Sequence, residues 1–453
     1  MQIILVGCGK VGAALARRLS EEGHDITMID LNADRIAHIT EELDIMGIVG
    51  NGSSYVTLQE AGLDTADVFI AVTGSDELNL LCCMFAKGTK NCHCVARVRN
   101  PMYSRELEFI KQQSGISAII NPELTTAKEI SQLLRFPAAR KIDSFADGKV
   151  QMIKLDLQPD SLLAGMSLKE VGQRLDRDIL ICAVEREKEV HIPGGDFVLQ
   201  GGDIITFVAT PQRAAELFEK LGLPTRPVRT VMIVGGGTTG FYLAKDLSGR
   251  GVRVKLVDID SDRCDYLSDE LPGVSVLCGD GTDRQFLLSE GLPQAEAVVA
   301  LTNIDEENIL LSLYAHKHSD AKLVTKIKRL DFDDILDSMD VGSVIYPKYM
   351  TCDYIVQYVR ALNNEAGNNI KTLYRLLDDR VEALEFQVQE ESPVTRKTLA
   401  ELSSRMRPGL LLCCIDRGGE IILPRGNDRI QVGDSVIVVT LEHGLADVRD
   451  ILR

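Results

Sequence analysis

The 453-residue chain repeats itself, and that repeat limits its possible folds more than any other feature. Residues 2–12 read QIILVGCGKVG, and residues 230–240 read TVMIVGGGTTG. Asp30, closing the run ITMID, has its counterpart in Asp258, closing VKLVD. Gly50-Asn51-Gly52-Ser53 corresponds to Gly279-Asp280-Gly281-Thr282, and AVTGSDELNLL at 71–81 to ALTNIDEENIL at 300–310. VARVR at 95–99 then corresponds to VTKIK at 324–328. Matches in one order at nearly constant spacing mark a duplicated unit. A second pair follows the same rule: 149–171 aligns with 380–402 and 180–208 with 411–439, bringing Pro193 onto Pro424 and Gly202-Asp203 onto Gly433-Asp434. The layout is A-B-A′-B′, with linkers expected near 138–145, 223–229 and 363–371. The modules are expected at 1–137, 145–222, 229–362 and 373–453.

Module A alternates short apolar runs with helical patterns. IILV, ITMI, IMGIV, DVFIAV and CVARV read as strands, while Val11, Leu15 and Leu19 share one helical face, as do Thr239, Leu243 and Leu247. Near-continuous apolar strands separated by helices imply a parallel sheet covered on both sides, a doubly wound α/β domain of Rossmann type. Module B has shorter alternating strands (IKLDL, ILICAV, IITFV), a helix-like LKEVGQRL and glycine-rich turns. It reads as a small α+β domain, so the chain is expected to hold two Rossmann-like domains, each followed by an α+β domain.

Gly7-x-Gly9-x-x-Gly12 follows a strand and opens a helix, and Asp30 ends the next strand. That context is the dinucleotide-binding fingerprint. The first glycine permits the tight turn, the second lets backbone approach phosphate, and the third lets helix and sheet pack closely. N–H groups at the helix start face the phosphates, and the aspartate accepts hydrogen bonds from ribose hydroxyls. Cys8, Lys10 and Val11 complete the first loop. Gly235, Gly236, Gly237, Thr238, Thr239, Gly240 and Asp258 form the second set. Thr73-Gly74 and Thr302-Asn303 end the fourth strands, at the sheet edge where ligands approach. Arg97 and Lys326 end the fifth and could reach phosphate, the alternative being surface salt bridges. Lys10 adds a point charge that Thr238 lacks, so the two clefts are expected to differ in ligand preference.

No proton relay accompanies these clefts. His191 has Ile422 at its equivalent place, and no nucleophile elbow, zincin helix or Walker loop occurs. Lys plus Arg number 50 against 67 Asp plus Glu, a formal charge of −17. Such a surface repels nucleic-acid and lipid phosphates, which disfavours both as partners. No apolar run approaches the roughly 18 residues of a membrane span, and MQIILVG lacks the basic start of a signal peptide. An intracellular, soluble chain is expected. Eleven cysteines fit reduced thiols. Cys82-Cys83 and Cys92-His93-Cys94 do not have zinc-site spacing and read as buried apolar positions rather than metal ligands.

The A-B-A′-B′ layout, GCGKVG with Asp30, GGGTTG with Asp258, GDGTD at 279–283 and the GGD turn at 201–203 together resemble the tandem RCK (regulator of potassium conductance) family over the whole chain. The resemblance implies binding of NAD(H) and of ATP or ADP. It also implies a tetrameric ring of chains at the inner face of the cell membrane, held by an integral-membrane potassium transporter subunit of Trk type whose conduction the ligand sets. Asn51 and Asp280 fall at the position where the family commonly carries Asp, so a charge-based role is implied only for Asp280. The B modules resemble ligand or dimerisation domains, and only an assembly role is expected of them. The competing readings are a duplicated NAD-dependent oxidoreductase, which predicts turnover of NADH, and a structural scaffold, which predicts no nucleotide binding.

Overall fold

The structure, a computed structural model, describes all residues except 89–91, 105, 175–178, 188, 330–332, 337–338, 365–369, 377–380, 443–444 and 446. Most of the linker expected near 363–371 lies outside the described residues.

The apolar runs of module A become strands in the expected order: β1 (Gln2–Val6), β2 (Asp25–Asp30), β3 (Met46–Val49), β4 (Val68–Ala71) and β5 (His93–Arg97). A sixth, β6 (Ala118–Ile120), was not legible, because three residues are too short to show periodicity. The sheet order is β3-β2-β1-β4-β5-β6, all parallel. β1 lies at its centre, and Ile3 to Val6 are buried. Helix Lys10–Glu21 buries Leu15 and Leu19, both fully. Each such side chain contributes roughly 1.5–3 kcal/mol. Val11, on the same face, is only half-buried.

The first α+β domain follows with β7 (Lys141–Phe145), β8 (Val150–Asp156), β9 (Leu180–Arg186), β10 (Glu189–His191) and β11 (Ile204–Ala209), in the antiparallel order β10-β9-β11-β8-β7. The stretch read as a linker at 138–145 therefore holds a strand. Its pattern KIDSF alternates, but the neighbouring helix and turn hid it. Helix Leu168–Arg174 is where the sequence placed it.

The second half repeats this. β12 (Thr230–Val234), β13 (Arg253–Asp258), β14 (Ser275–Cys278), β15 (Ala297–Ala300), β16 (Lys322–Lys326) and β17 (Ser343–Ile345) form a parallel sheet of order β14-β13-β12-β15-β16-β17. β18 (Ile370–Leu376), β19 (Val381–Gln387), β20 (Leu410–Arg417), β21 (Glu420–Ile422) and β22 (Ser435–Thr440) form the last, in the order β18-β19-β22-β20-β21.

By contact density the chain divides into two units, one of Met1–Ser131 with Val228–Val359 and one of Gln132–Pro227 with Arg360–Arg453. Like pairs with like. In the first unit the two Rossmann-like halves meet through buried and half-buried polar contacts. Tyr242 Oη accepts from Asn121 Nδ2 at 3.0 Å and donates to the Arg99 carbonyl at 3.1 Å. Ser131 Oγ donates to Asp246 at 2.6 Å, and Arg18 pairs with Asp353. In the second unit one apolar cluster takes Cys182, Ala183 and Val208 from one module and Ala383, Cys413 and Ile437 from the other. Repeats with complementary apolar faces bury them against each other. Among the described residues no helix is long and apolar enough to cross a membrane.

Candidate functional site

Both glycine loops close in the same way. Gly7 has φ +106° and Gly235 φ +113°, a region that side chains disfavour. A Cβ on Gly12 would lie 1.8 Å from the Gly7 carbonyl oxygen, and one on Gly240 2.2 Å from that of Gly235, so helix and loop touch only because these residues lack one. At Gly9 and Gly237 the opposite holds: an added Cβ meets nothing within 4 Å. Those positions face open space, the direction from which a phosphate would come. Gly9 is the N-cap of its helix and offers no side chain to the first-turn N–H groups, which leaves them available to an anion.

The aspartates hold the loops, and Asp30 also lines a cleft. Asp30 Oδ2 accepts from the Cys8 N–H at 2.6 Å and Oδ1 from the Asn32 N–H at 2.9 Å. Asp258 accepts from Gly236 at 2.6 Å and Asp260 at 3.0 Å. A carboxylate has about four acceptor positions, so each retains capacity for ribose hydroxyls.

A cleft of about 410 Å³ opens at the first loop. It brings together Gly7, Gly9, Lys10, Val11 and Asp30 with Thr73, Gly74 and Arg97 from the far strands. Cys8, Gly12 and Asn51 do not line it. Cys8 is buried with its thiol toward the Arg35 carbonyl. Asn51 Oδ1 accepts from the Ser53 N–H and hydroxyl at 3.0 and 2.9 Å. Asp280 makes the same turn with Thr282, at 2.8 and 2.7 Å. One oxygen suffices there, which is why Asn replaces Asp without altering the geometry.

Several of these groups are also engaged within the protein. The Thr73 and Thr302 hydroxyls each donate to a buried asparagine, Asn79 at 2.7 Å and Asn308 at 2.9 Å. The same asparagines donate to the Arg97 carbonyl at 2.8 Å and the Lys326 carbonyl at 2.9 Å, tying fourth strand to fifth. Lys326 is not a surface cation: it is 4% exposed and donates to the Leu301 carbonyl at 2.6 Å. Burial, aided by the Lys328 charge, lowers its pKa to about 7. Asn303 accepts from Lys328 at 2.6 Å. Arg97 donates to the Thr73 carbonyl, while its Nε is buried without a partner. Burial also lowers the Arg97 pKa.

Several wall residues were not singled out from the sequence. Arg35 and Glu123 line the first cleft from its own half, and Lys328, Pro347, Lys348 and Thr351 from the second. Residues so distant in the chain meet only through the pairing of the two halves. Burial raises the Glu123 pKa, and its Oε2 has no hydrogen-bond partner. In the second copy Arg263, the counterpart of Arg35, donates from Nε to the Gly236 carbonyl at 2.7 Å. Spacing from the aspartates could have found both arginines. Open space at Gly9, the bare N-cap and the orphaned Arg97 Nε suit an anionic nucleotide. Elsewhere, Cys82, Cys83, Cys92 and Cys94 are buried in an apolar core. Among the described residues no group of three His, Cys, Asp or Glu could hold a metal.

Comparison with known proteins agrees with this architecture. The TrkA-N domain model matches residues 3–122 and 231–347, and the TrkA-C domain model residues 152–222 and 383–453. A Trk system potassium uptake protein TrkA homolog of Archaeoglobus fulgidus is 31% identical over 453 residues, covering 100% of both chains. The Trk system potassium uptake protein TrkA of Vibrio alginolyticus is 30% identical, covering 97% of this chain and 95% of its own. Among solved structures, the GsuK RCK domain superposes with a TM-score of 0.62 at 20% identity, over 97% of this chain and 92% of that one. The GsuK channel bound to NAD gives 0.63 at 20% identity, over 97% of this chain and 76% of that one. The likeness to GsuK concerns the fold; the domain models and full-length relatives place the chain in the TrkA family of Trk-system potassium uptake proteins.

Proposed function

We propose that this chain is a non-enzymatic regulatory subunit of a Trk-type potassium uptake system. Nucleotide bound at its two glycine-loop clefts sets the conduction of an integral-membrane potassium-translocating partner. The observation that carries the reading is the doubled cleft frame: the same loop, aspartate and asparagine bracket occurs twice in one chain. In this reading the loop N–H groups, with Lys10 and Arg97 in the first copy, receive phosphate, and Lys326, buried on the Leu301 carbonyl, helps shape the second cleft. Asp30 and Asp258 receive the adenosine ribose. Cys8, Gly12, Gly236, Gly240, Asn51, Asp280, Thr73, Gly74, Thr302 and Asn303 shape the clefts; Val11, Thr238 and Thr239 present backbone N–H groups.

The ligands proposed are NAD(H) and ATP or ADP. The GsuK channel has been solved with NAD and GsuK with ADP, and the relatives are potassium uptake proteins, which supports the assignment. The modules are taken as 1–137, 145–222, 229–362 and 373–453, and the chain as a homotetramer. It would sit in the cytoplasm, peripheral to the membrane through its partner. A switch needs the ligand to favour one of two ring states. A tenfold preference supplies about 1.4 kcal/mol per site, and several sites acting together move a gate.

The test is potassium flux into liposomes holding the membrane partner with this chain bound. Flux that changes with NADH, ATP or ADP, and that loses this response when Asp30 and Asp258 are both replaced by Ala, supports the reading. Flux indifferent to nucleotide, or NADH turnover by the isolated protein, refutes it.

A further inference from the structure

Eleven cysteines are described, and ten are buried; Cys278 is the exposed one. It closes β14, where its Cα pairs in register with Asp258, the residue at the second cleft. Beside it is Cys264, in the first turn of helix Ser261–Glu270. The Cys264 thiol lies 3.4 Å from the Asp258 carbonyl oxygen and 3.9 Å from that of Leu277. Cys278 directly follows Leu277, whose carbonyl the Cys264 thiol approaches, so the two cysteines are neighbours across the helix–strand contact. One thiol thus meets solvent, and a second waits behind it against the backbone of the ribose-binding residue.

We propose that Cys264 and Cys278 form a reversible disulfide at the second cleft when the protein meets hydrogen peroxide. The chemistry suits the two environments. Reaction needs an accessible sulfur, which Cys278 has. Burial, reinforced by the neighbouring Cys278, pushes the Cys264 thiol up to about 11, so it stays protonated and out of reach of the oxidant. Cys278 attacks peroxide, forming an S–O bond as the O–O bond breaks and releasing the first water. The Cys264 sulfur then displaces the hydroxyl from the sulfenic acid; the S–S bond forms, and the hydroxyl leaves with the Cys264 proton as the second water. Two thiols and one peroxide give one disulfide and two waters, and a dithiol reverses the bond.

The consequence is local. Cys264 gives up its proton, and with it the contact to the Asp258 carbonyl. Its neighbour Arg263 holds the Gly236 carbonyl of the glycine loop. Oxidation therefore acts beside Asp258 and beside the Gly236 loop, the groups proposed to hold nucleotide in the second copy. In the first repeat Ile36 and Val49 stand at the corresponding positions, so that cleft has no such response. The effect on affinity rests on the second cleft binding nucleotide; the disulfide itself does not.

The experiment treats the full chain with hydrogen peroxide, removes the excess with catalase, alkylates free thiols, and digests without reduction for mass spectrometry. A linked Cys264–Cys278 peptide is expected, cleaved by dithiothreitol and absent from Cys278→Val and Cys264→Ile, which carry the first repeat's own residues. ADP titration in an Asp30→Ala background, which silences the first cleft, should show about tenfold weaker binding after oxidation, and no change with Cys278→Val added. Over-oxidation of Cys278 without the linked peptide, or cross-linking only between chains, overturns the disulfide. A linked peptide with unchanged ADP affinity overturns its consequence. A linked peptide in a protein whose second cleft binds no ADP even when reduced refutes the nucleotide reading and leaves the disulfide standing.

Discussion

At the mouth of the first glycine loop stands Lys10; at the same place in the second stands Thr238. The contrast continues on the fifth strands, where half-buried Arg97 corresponds to fully buried Lys326. Just beyond, Arg99 corresponds to Lys328 and Ile36 to Cys264. What stays the same is the set of groups that bond backbone: Asp30 and Asp258 to the loops, Asn79 and Asn308 to the fourth and fifth strands, Asn51 and Asp280 to their turns. Duplication has kept the frame that shapes a cleft and let the charges lining it drift. Cleft shape and ligand choice are thus carried by different residues, and they can be perturbed separately.

The largest effect should come from the frame. Gly12→Ala drives a methyl to 1.8 Å from the Gly7 carbonyl, and a strained repacking of this kind costs about 1–3 kcal/mol or more. Gly9→Ala, with nothing within 4 Å, should leave denaturant unfolding unchanged while weakening nucleotide at the first cleft only. Equal stability losses for the two would break the distinction between packing and approach. Next, Asp30→Ala removes a charged acceptor, each such bond contributing roughly 1.5–3 kcal/mol. Binding at the first cleft should fall by about 10- to 100-fold, for NADH and ATP alike, because both share the adenosine end. Asp258→Ala should do the same at the second cleft, and calorimetry of the two variants side by side separates the sites.

Lys326 gives a pH signature that Arg97 does not share. Its folded pKa of about 7 lies below the ordinary 10.5, so between these values the unfolded chain binds more protons than the folded one. Stability should therefore rise with pH across that window, by up to about 1.4 kcal/mol per unit. Below about pH 7 the cost of burying the charged form is complete and constant. Urea unfolding from pH 7 to 9 should show this slope in the wild type and lose it in Lys326→Met; a slope kept in the variant would assign the titration elsewhere. A smaller change is expected from Lys10→Thr, which gives the first loop the second loop's residue. An exposed point charge contributes about 0.2–1 kcal/mol, so ATP affinity should fall a fewfold, and less at high salt. The smallest is Asn51→Asp. One oxygen makes the turn in either residue, and the variant should bind and unfold within about 0.5 kcal/mol of wild type.

The frame was legible in the sequence because it depends on local spacing. Glycines set by helix–strand contact, an aspartate at a strand end and apolar runs of strand length all fall within thirty residues or so. The short strands β6, β17, β10 and β21 were not, since three residues carry no period. Nor was β7, which hides between a helix end and a turn. Two features of the candidate site escaped for a different reason. Thr73 reads from the sequence as a wall group, which it is, but nothing local shows that Asn79, six residues on, also takes its hydroxyl. Lys328 and Lys348 reach the first cleft from the far repeat, and a linear A-B-A′-B′ order does not say that like modules pair. That pairing also brings the Glu123 charge of the first repeat to bear on Lys326 of the second.

The most direct test is an isothermal titration of the intact protein with ADP, repeated for Asp30→Ala, Asp258→Ala and the double variant. Two binding events per chain are expected in the wild type, one of them weakened about 10- to 100-fold in each single variant and both in the double variant, with all four proteins folded. A single event untouched by Asp30→Ala and Asp258→Ala alike, or no binding by a folded wild type, would contradict the two-cleft assignment.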